Sequence, residues 1–128
     1  MPIVTYRDLI VWKQSMSLVE ECYKLTVGFP NSELYGLTSQ LRRAAVSIPA
    51  NVAEGHRRRE TKPYRNHVSI AIGSHGELET YLELAHRLGL LSQPDKARVT
   101  NLADSVGRLL FGLHRSLKKK LSEPSSDS

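Results

Sequence analysis

The densest chemistry in this 128-residue sequence is the run Arg57-Arg58-Arg59-Glu60-Thr61-Lys62, with Arg65 close behind. Five cations and one anion fall within nine residues. Phosphate oxygens are bound by flexible cations on an exposed surface, and each phosphate neutralised steepens the salt dependence of binding by about one unit. Arg57, Arg58, Arg59, Lys62 and Arg65 are therefore the candidate contacts to RNA or another polyanion. If several copies converge in an oligomer, avidity multiplies weak contacts. A solvated loop, or one paired with acidic groups of a neighbouring subunit, would have the same composition.

A second set lies upstream. Arg42 and Arg43 adjoin Ala44 and Ala45, which suit a close-packed apolar face. Such an arginine must reach out to water or pair with a carboxylate, and Glu54, Glu77 and Glu79 are the candidates. Arg43, Ser47 and Asn51 step by four, so they share one helix face. A polar stripe of that kind hydrogen-bonds across a bundle or a subunit interface. Arg42, Arg43, Ser47, Asn51 and Glu54 are expected to serve there.

Other candidates are weaker. Glu83-Leu84-Ala85-His86 matches the Glu-x-x-His element of di-iron helical bundles, which needs a second copy and two further glutamates. Glu20, Glu21 and Glu54 could add carboxylates, but no second Glu-x-x-His exists. No metal or other cofactor is expected. His75 falls on an apolar seam, where it is expected to be hydrogen-bonded and silent; pH sensing at an interface is the alternative. Cys22 is the single cysteine, which excludes an intramolecular disulfide and a cysteine-based zinc site. It is expected to act as a small hydrophobe. Gly73-x-x-Gly76 lies within a helical stretch and so is no nucleic-acid-clamping loop. There is no nucleophile–base–orienter set, and a non-enzymatic role is expected.

Four helical stretches must position these groups. The first, about 7–27, has Leu9, Trp12, Met16, Val19 and Tyr23 at steps of three and four, with Asp8 near its start. The second, about 34–56, carries Leu37, Leu41, Ala44, Ile48 and Val52. Pro49 should kink it without splitting it, because the stripe continues in phase, and Gly55 is a candidate stop. The third, about 62–88, carries Tyr64, Val68, Ala71, His75, Leu78, Leu82 and Ala85. Thr61 is its candidate N-cap and Gly89 its stop. Gly73 and Gly76 would be explained by close approach of a neighbouring helix. The fourth, about 95–121, carries Val99, Leu102, Val106, Leu109, Leu113 and Leu117, and residues 122–128 read as a disordered polar tail. Strand signals are absent. The expected fold is all-α, an antiparallel up-down-up-down four-helix bundle.

Composition sets the outer limits. This length suits one domain. The net charge of +5 is uneven: residues 42–65 carry +5 and residues 94–128 carry +3, while the remaining stretches are slightly acidic. Aromatics are 6% of the chain, too few for an extended base-stacking platform. Near the start the longest apolar run, Leu9 to Trp12, is too short for a bilayer or a signal-peptide core. A soluble, cytoplasmic protein is expected.

Three stretches carry a resemblance. They are Tyr6-Arg7-Asp8-Leu9-Ile10-Val11-Trp12, the long run from Tyr35 to Gly55, and Ala71-Ile72-Gly73-Ser74 followed by Glu77-Leu78-Glu79-Thr80. Together, over roughly residues 6–115, the chain resembles the bacterial four-helix-bundle proteins named after intervening sequences in 23S ribosomal RNA genes, also called S23 proteins. The resemblance implies a left-handed bundle assembled into a ring, typically a homopentamer. It extends to the accessory protein of diversity-generating retroelements, which partners a reverse transcriptase and RNA. No enzymatic activity is established for that family, and its rRNA link rests on gene location. His75 stands where the family usually has a small or aliphatic residue, and the stretch after Gly55 is richer in arginine than is common.

Overall fold

The computed structural model describes residues 2–123, which form four α-helices: α1 Ile10–Val27, α2 Ser39–Arg57, α3 Thr61–Arg87 and α4 Gln93–Ser122. No strand occurs among the described residues. The α2–α3 contact is the most extensive, followed by α3–α4; α1 packs on both α2 and α4, which closes the bundle. Leu18, Leu41, Ile48, Leu78 and Leu110 are among the largest fully buried side chains. Most of the tail expected at 122–128 lies outside the described residues; Ser122 is the last residue of α4.

The first helix differs from its sequence reading. Tyr6–Asp8 form a separate 3-10 turn, and α1 begins at Ile10 after the extended residue Leu9. Asp8 does not cap α1. Its carboxylate accepts from the amides of Val4 and Thr5 at 2.9 and 3.0 Å, and those two bonds hold its pKa below the usual value. The buried face is Val11, Ser15, Leu18, Cys22 and Thr26, whereas Met16 and Tyr23 lie at the surface. Ser15 and Thr26 can occupy the core because their hydroxyls donate to carbonyls one turn back, Val11 at 2.6 Å and Cys22 at 2.8 Å. Leu9, Trp12 and Val19 of the expected stripe are partly buried against that core, and Trp12 also meets Tyr6, with ring centroids 5.3 Å apart.

A π-type turn at Leu34–Thr38, with non-helical Gly36 inside it, precedes α2. From Ser39 the helix continues through the buried Pro49 as one element, and Leu37, Leu41, Ala44, Ile48 and Val52 are all buried. Gly55 is not its stop, since α2 runs on to Arg57. The glycine is a contact point: a Cβ there would stand 2.8 Å from Cβ of His67 and 3.0 Å from Cδ1 of Tyr64.

In α3, Thr61 is the first helical residue and Glu60 occupies the cap. The expected stripe is buried from Val68 to Ala85, with Tyr64 half-buried. Gly89 stops the helix in the left-handed region at φ +76°, and the amide of Leu90 donates to Ala85 O at 2.9 Å. Gly73 and Gly76 make no close approach, for an added Cβ would meet nothing within 4 Å. Besides Gly55, the glycine on which another helix closes is Gly107 of α4, which lies against His75.

Ser92 caps α4 by accepting from the amide of Asp95 at 3.2 Å, and Pro94 falls in its first turn. Its buried face is Val99, Ala103, Val106, Gly107, Leu110 and Leu117. Leu102, Leu109 and Leu113 of the expected stripe are partly buried against that core.

Candidate nucleic-acid interface

The basic cluster is not a single loop. Arg57 ends α2, Arg58–Glu60 form the connection, and Lys62 and Arg65 already belong to α3. Arg59 has φ +60°, the left-handed conformation that usually falls to glycine at this place after a helix. The turn is held by backbone bonds from Arg58 to Gly55 O and from Arg59 to His56 O, at 3.2 and 3.3 Å.

Arg57 and Arg59 line a cavity of about 720 Å³ at this end of the bundle. The opposite ends of the chain complete it. Arg7, next to the 3-10 turn's Tyr6, and Lys120 in the last turns of α4 also reach it, so four cations share one concavity. His56, Tyr64 and Leu117 supply ring and apolar surface, and Glu60 and Thr61 add acceptors. His56 and Tyr64 meet edge to face with centroids 5.7 Å apart. The Tyr64 hydroxyl is shielded from solvent, has no hydrogen-bond partner among the described residues, and is pushed up to about 12 by burial.

The other three cluster cations do not line this cavity. Arg58 donates to Glu54 at 3.2 Å in an exposed pair one turn apart, Lys62 is exposed, and Arg65 is half-buried on α3. An exposed pair of this kind contributes little to stability. Arg7, His56, Tyr64 and Lys120 were not among the sequence candidates. The C-terminal charge excess hinted at Lys120, but only the closed bundle brings it to the α2–α3 turn.

The polar stripe on α2 is an interhelical seam. Ser47 Oγ and Ser74 Oγ are 2.7 Å apart. Asn51 Nδ2 donates to the carbonyl and hydroxyl of Ser47 at 2.9 and 3.0 Å. Asn51 Oδ1 accepts from His67 Nδ1 at 3.1 Å, and His67 Nε2 lies 3.8 Å from Glu54. Ser47, Asn51 and Glu54 therefore join α2 to α3. Along this seam residue numbers rise on α2 as they fall on α3.

Arg42 takes none of the carboxylates proposed for it. Its Nε donates to Thr26 Oγ1 at 2.7 Å, and its guanidinium lies 4.5 Å from the centroid of the Tyr23 ring. The flat guanidinium covers an aromatic face where a carboxylate would have needed desolvation. Arg43 is exposed on the same helix. Glu79 instead faces His75 Nδ1 at 3.4 Å.

The Glu-x-x-His pair is engaged elsewhere. Glu83 accepts from Lys96 at 2.6 Å and Arg87 at 2.8 Å, which hold its carboxyl at about 2, and His86 Nδ1 donates to Leu91 O at 3.0 Å. Among the described residues no group of three or more His, Cys, Asp or Glu side chains is placed to hold a metal. His75 is buried and its Nε2 donates to Ala103 O at 2.7 Å. Cys22 is buried, and desolvation pushes its thiol up to about 12. No helix among the described residues is long and apolar enough to cross a membrane.

A family model described as 23S rRNA-intervening sequence protein matches residues 7–112. No curated protein matches the chain in sequence. Among solved structures, the chain is similar to a protein of unknown function from the S23 ribosomal protein family of Bacteroides thetaiotaomicron VPI-5482. That structure aligns with a TM-score of 0.77 at 21% identity, over 83% of this chain and 96% of the other. At that identity the likeness establishes the fold.

Proposed function

The chain belongs to the 23S rRNA-intervening sequence protein family, and from that premise we propose that it is a non-enzymatic accessory or scaffold protein that binds RNA, or a partner carrying RNA, through the basic end of its bundle. In this reading the bundle is up-down-up-down and assembles into a homopentameric ring in the cytoplasm. The observation that carries the reading is the convergence of Arg7, Arg57, Arg59 and Lys120 on one cavity. Four cations gathered from three separate parts of the chain make a field no single loop could make, and a ring repeats it in every copy. Lys62 and Arg65, on α3, are further phosphate contacts in this reading.

Anisotropy of a labelled single-stranded RNA, followed from about 50 to about 200 mM salt, tests it. Affinity should fall steeply across that range. The Arg57/Arg58/Arg59→Ala variant should lose binding while native mass measurement returns the same oligomer as the parent. Binding that ignores salt, or no binding at the low end, overturns the RNA reading, and a monomer overturns the ring.

A second reading rests on the Arg58–Glu54 pair, where one cluster cation is already matched by a carboxylate one turn back on α2. Here the turn is a protein-interaction surface that meets acidic side chains. Polyglutamate competing on equal terms with RNA for the same surface would favour it.

A further inference from the structure

The cavity at the α2–α3 turn holds more than a phosphate track requires. A track needs exposed cations along a surface, yet here four cations surround a concavity of about 720 Å³. That volume lies inside the range of about 300–1,000 Å³ typical of small-ligand sites. Its wall includes the His56 and Tyr64 rings and the apolar side chain of Leu117. Glu60 is also on the wall, and a carboxylate there opposes a ligand that is only phosphate. It suits one that also presents N–H donors.

We infer that this cavity takes one unstacked nucleotide, with its base against His56 and Tyr64 and its phosphate on Arg57, Arg59 and Lys120. A phosphate joined to a flat ring with N–H donors meets all three kinds of wall at once. Single-stranded RNA supplies such a group when a base is splayed out, whereas a duplex keeps its bases stacked. A free mononucleotide has the same chemistry. The inference deepens the RNA reading and rests on it for the source of the nucleotide. Six per cent aromatics is too few for a platform, but one site needs only one or two rings.

The test uses the full chain and four probes: a labelled 12-nucleotide single-stranded RNA, its duplex, the same strand with abasic positions, and nucleoside 5′-monophosphates. The intact single strand should bind about tenfold more tightly than the duplex or the abasic strand, the expected scale for one stacked base. His56→Ala should lower single-strand affinity to that of the duplex. Arg59→Ala, which keeps both rings, should weaken the single strand and the duplex alike. Equal binding of all three polymers, unchanged by His56→Ala, overturns the nucleotide site and leaves the RNA reading standing. Monophosphate binding without polymer binding upholds the site and overturns the RNA reading. Binding of none of the probes at low salt overturns both.

Discussion

The Cε1–Nε2 edge of the His75 imidazole abuts Gly107: a Cβ built there would stand 2.8 Å from Cε1 and 2.9 Å from Nε2 of the ring. The ring cannot easily retreat, because Nε2 is bonded to Ala103 O one turn earlier on α4. Gly107→Ala should therefore destabilise the fold. Alanine's helix propensity offers about 1 kcal/mol, but overpacking costs about 1–3 kcal/mol and should win. Urea denaturation checks the sign, and adding His75→Ala should relieve the clash non-additively.

Gly55, Gly73 and Gly76 should separate in the same measurement. Gly55→Ala drives a methyl into His67 and Tyr64 and should loosen the α2–α3 seam by about 1–3 kcal/mol. Gly73→Ala and Gly76→Ala meet open space and should each stabilise α3 by about 1 kcal/mol. Loss of stability from Gly73→Ala would mean that another chain covers that face.

Glu83 sets an acid limit. Its carboxyl ordinarily titrates at 4.5 and is held at about 2 by bonds from Lys96 and Arg87. The folded value is depressed, so its contribution is complete above 4.5, declines as pH falls and is gone below about 2. Melting curves of the parent and Glu83→Gln should differ at neutral pH and converge across that window.

Arg59 separates stability from binding. Its left-handed backbone costs about 1 kcal/mol relative to glycine. Arg59→Gly should raise the melting temperature and weaken RNA binding together. A variant that is both stabilised and fully competent for RNA would remove Arg59 from the interface.

Cys22 should be silent in the native protein. The thiolate is the reactive form, and a buried thiol near 12 is almost wholly protonated at neutral pH. Iodoacetamide should label it at the rate at which the bundle opens, and denaturant should raise that rate sharply.

Much of the fold was legible because period-3.6 apolar spacing needs no partner to be read. The stripe on α2 and the stripe from Val68 to Ala85 on α3 are buried as spaced. On α1 the stripe is legible only in part: Leu9, Trp12 and Val19 pack against the core, but Ser15 and Thr26, polar by type, satisfy their hydroxyls on their own helix and so enter it in place of Met16 and Tyr23. Arg42 was given a carboxylate because a ring face and a hydroxyl on another helix leave no trace in linear spacing.

The division runs between local and non-local physics. Helix number, approximate bounds, the Gly89 stop and the charge concentration at 42–65 are local, set by side-chain type and spacing, and the sequence alone determined them. Which glycines are contact points depends on which helix lies opposite, so only the packed bundle decided for Gly55 and Gly107 over Gly73 and Gly76. The same holds for the candidate site. The sequence supplied Arg57 and Arg59, but Arg7 and Lys120 join them only because closing the bundle brings both ends of the chain to the α2–α3 turn. Electrostatic fields add in space rather than along the chain.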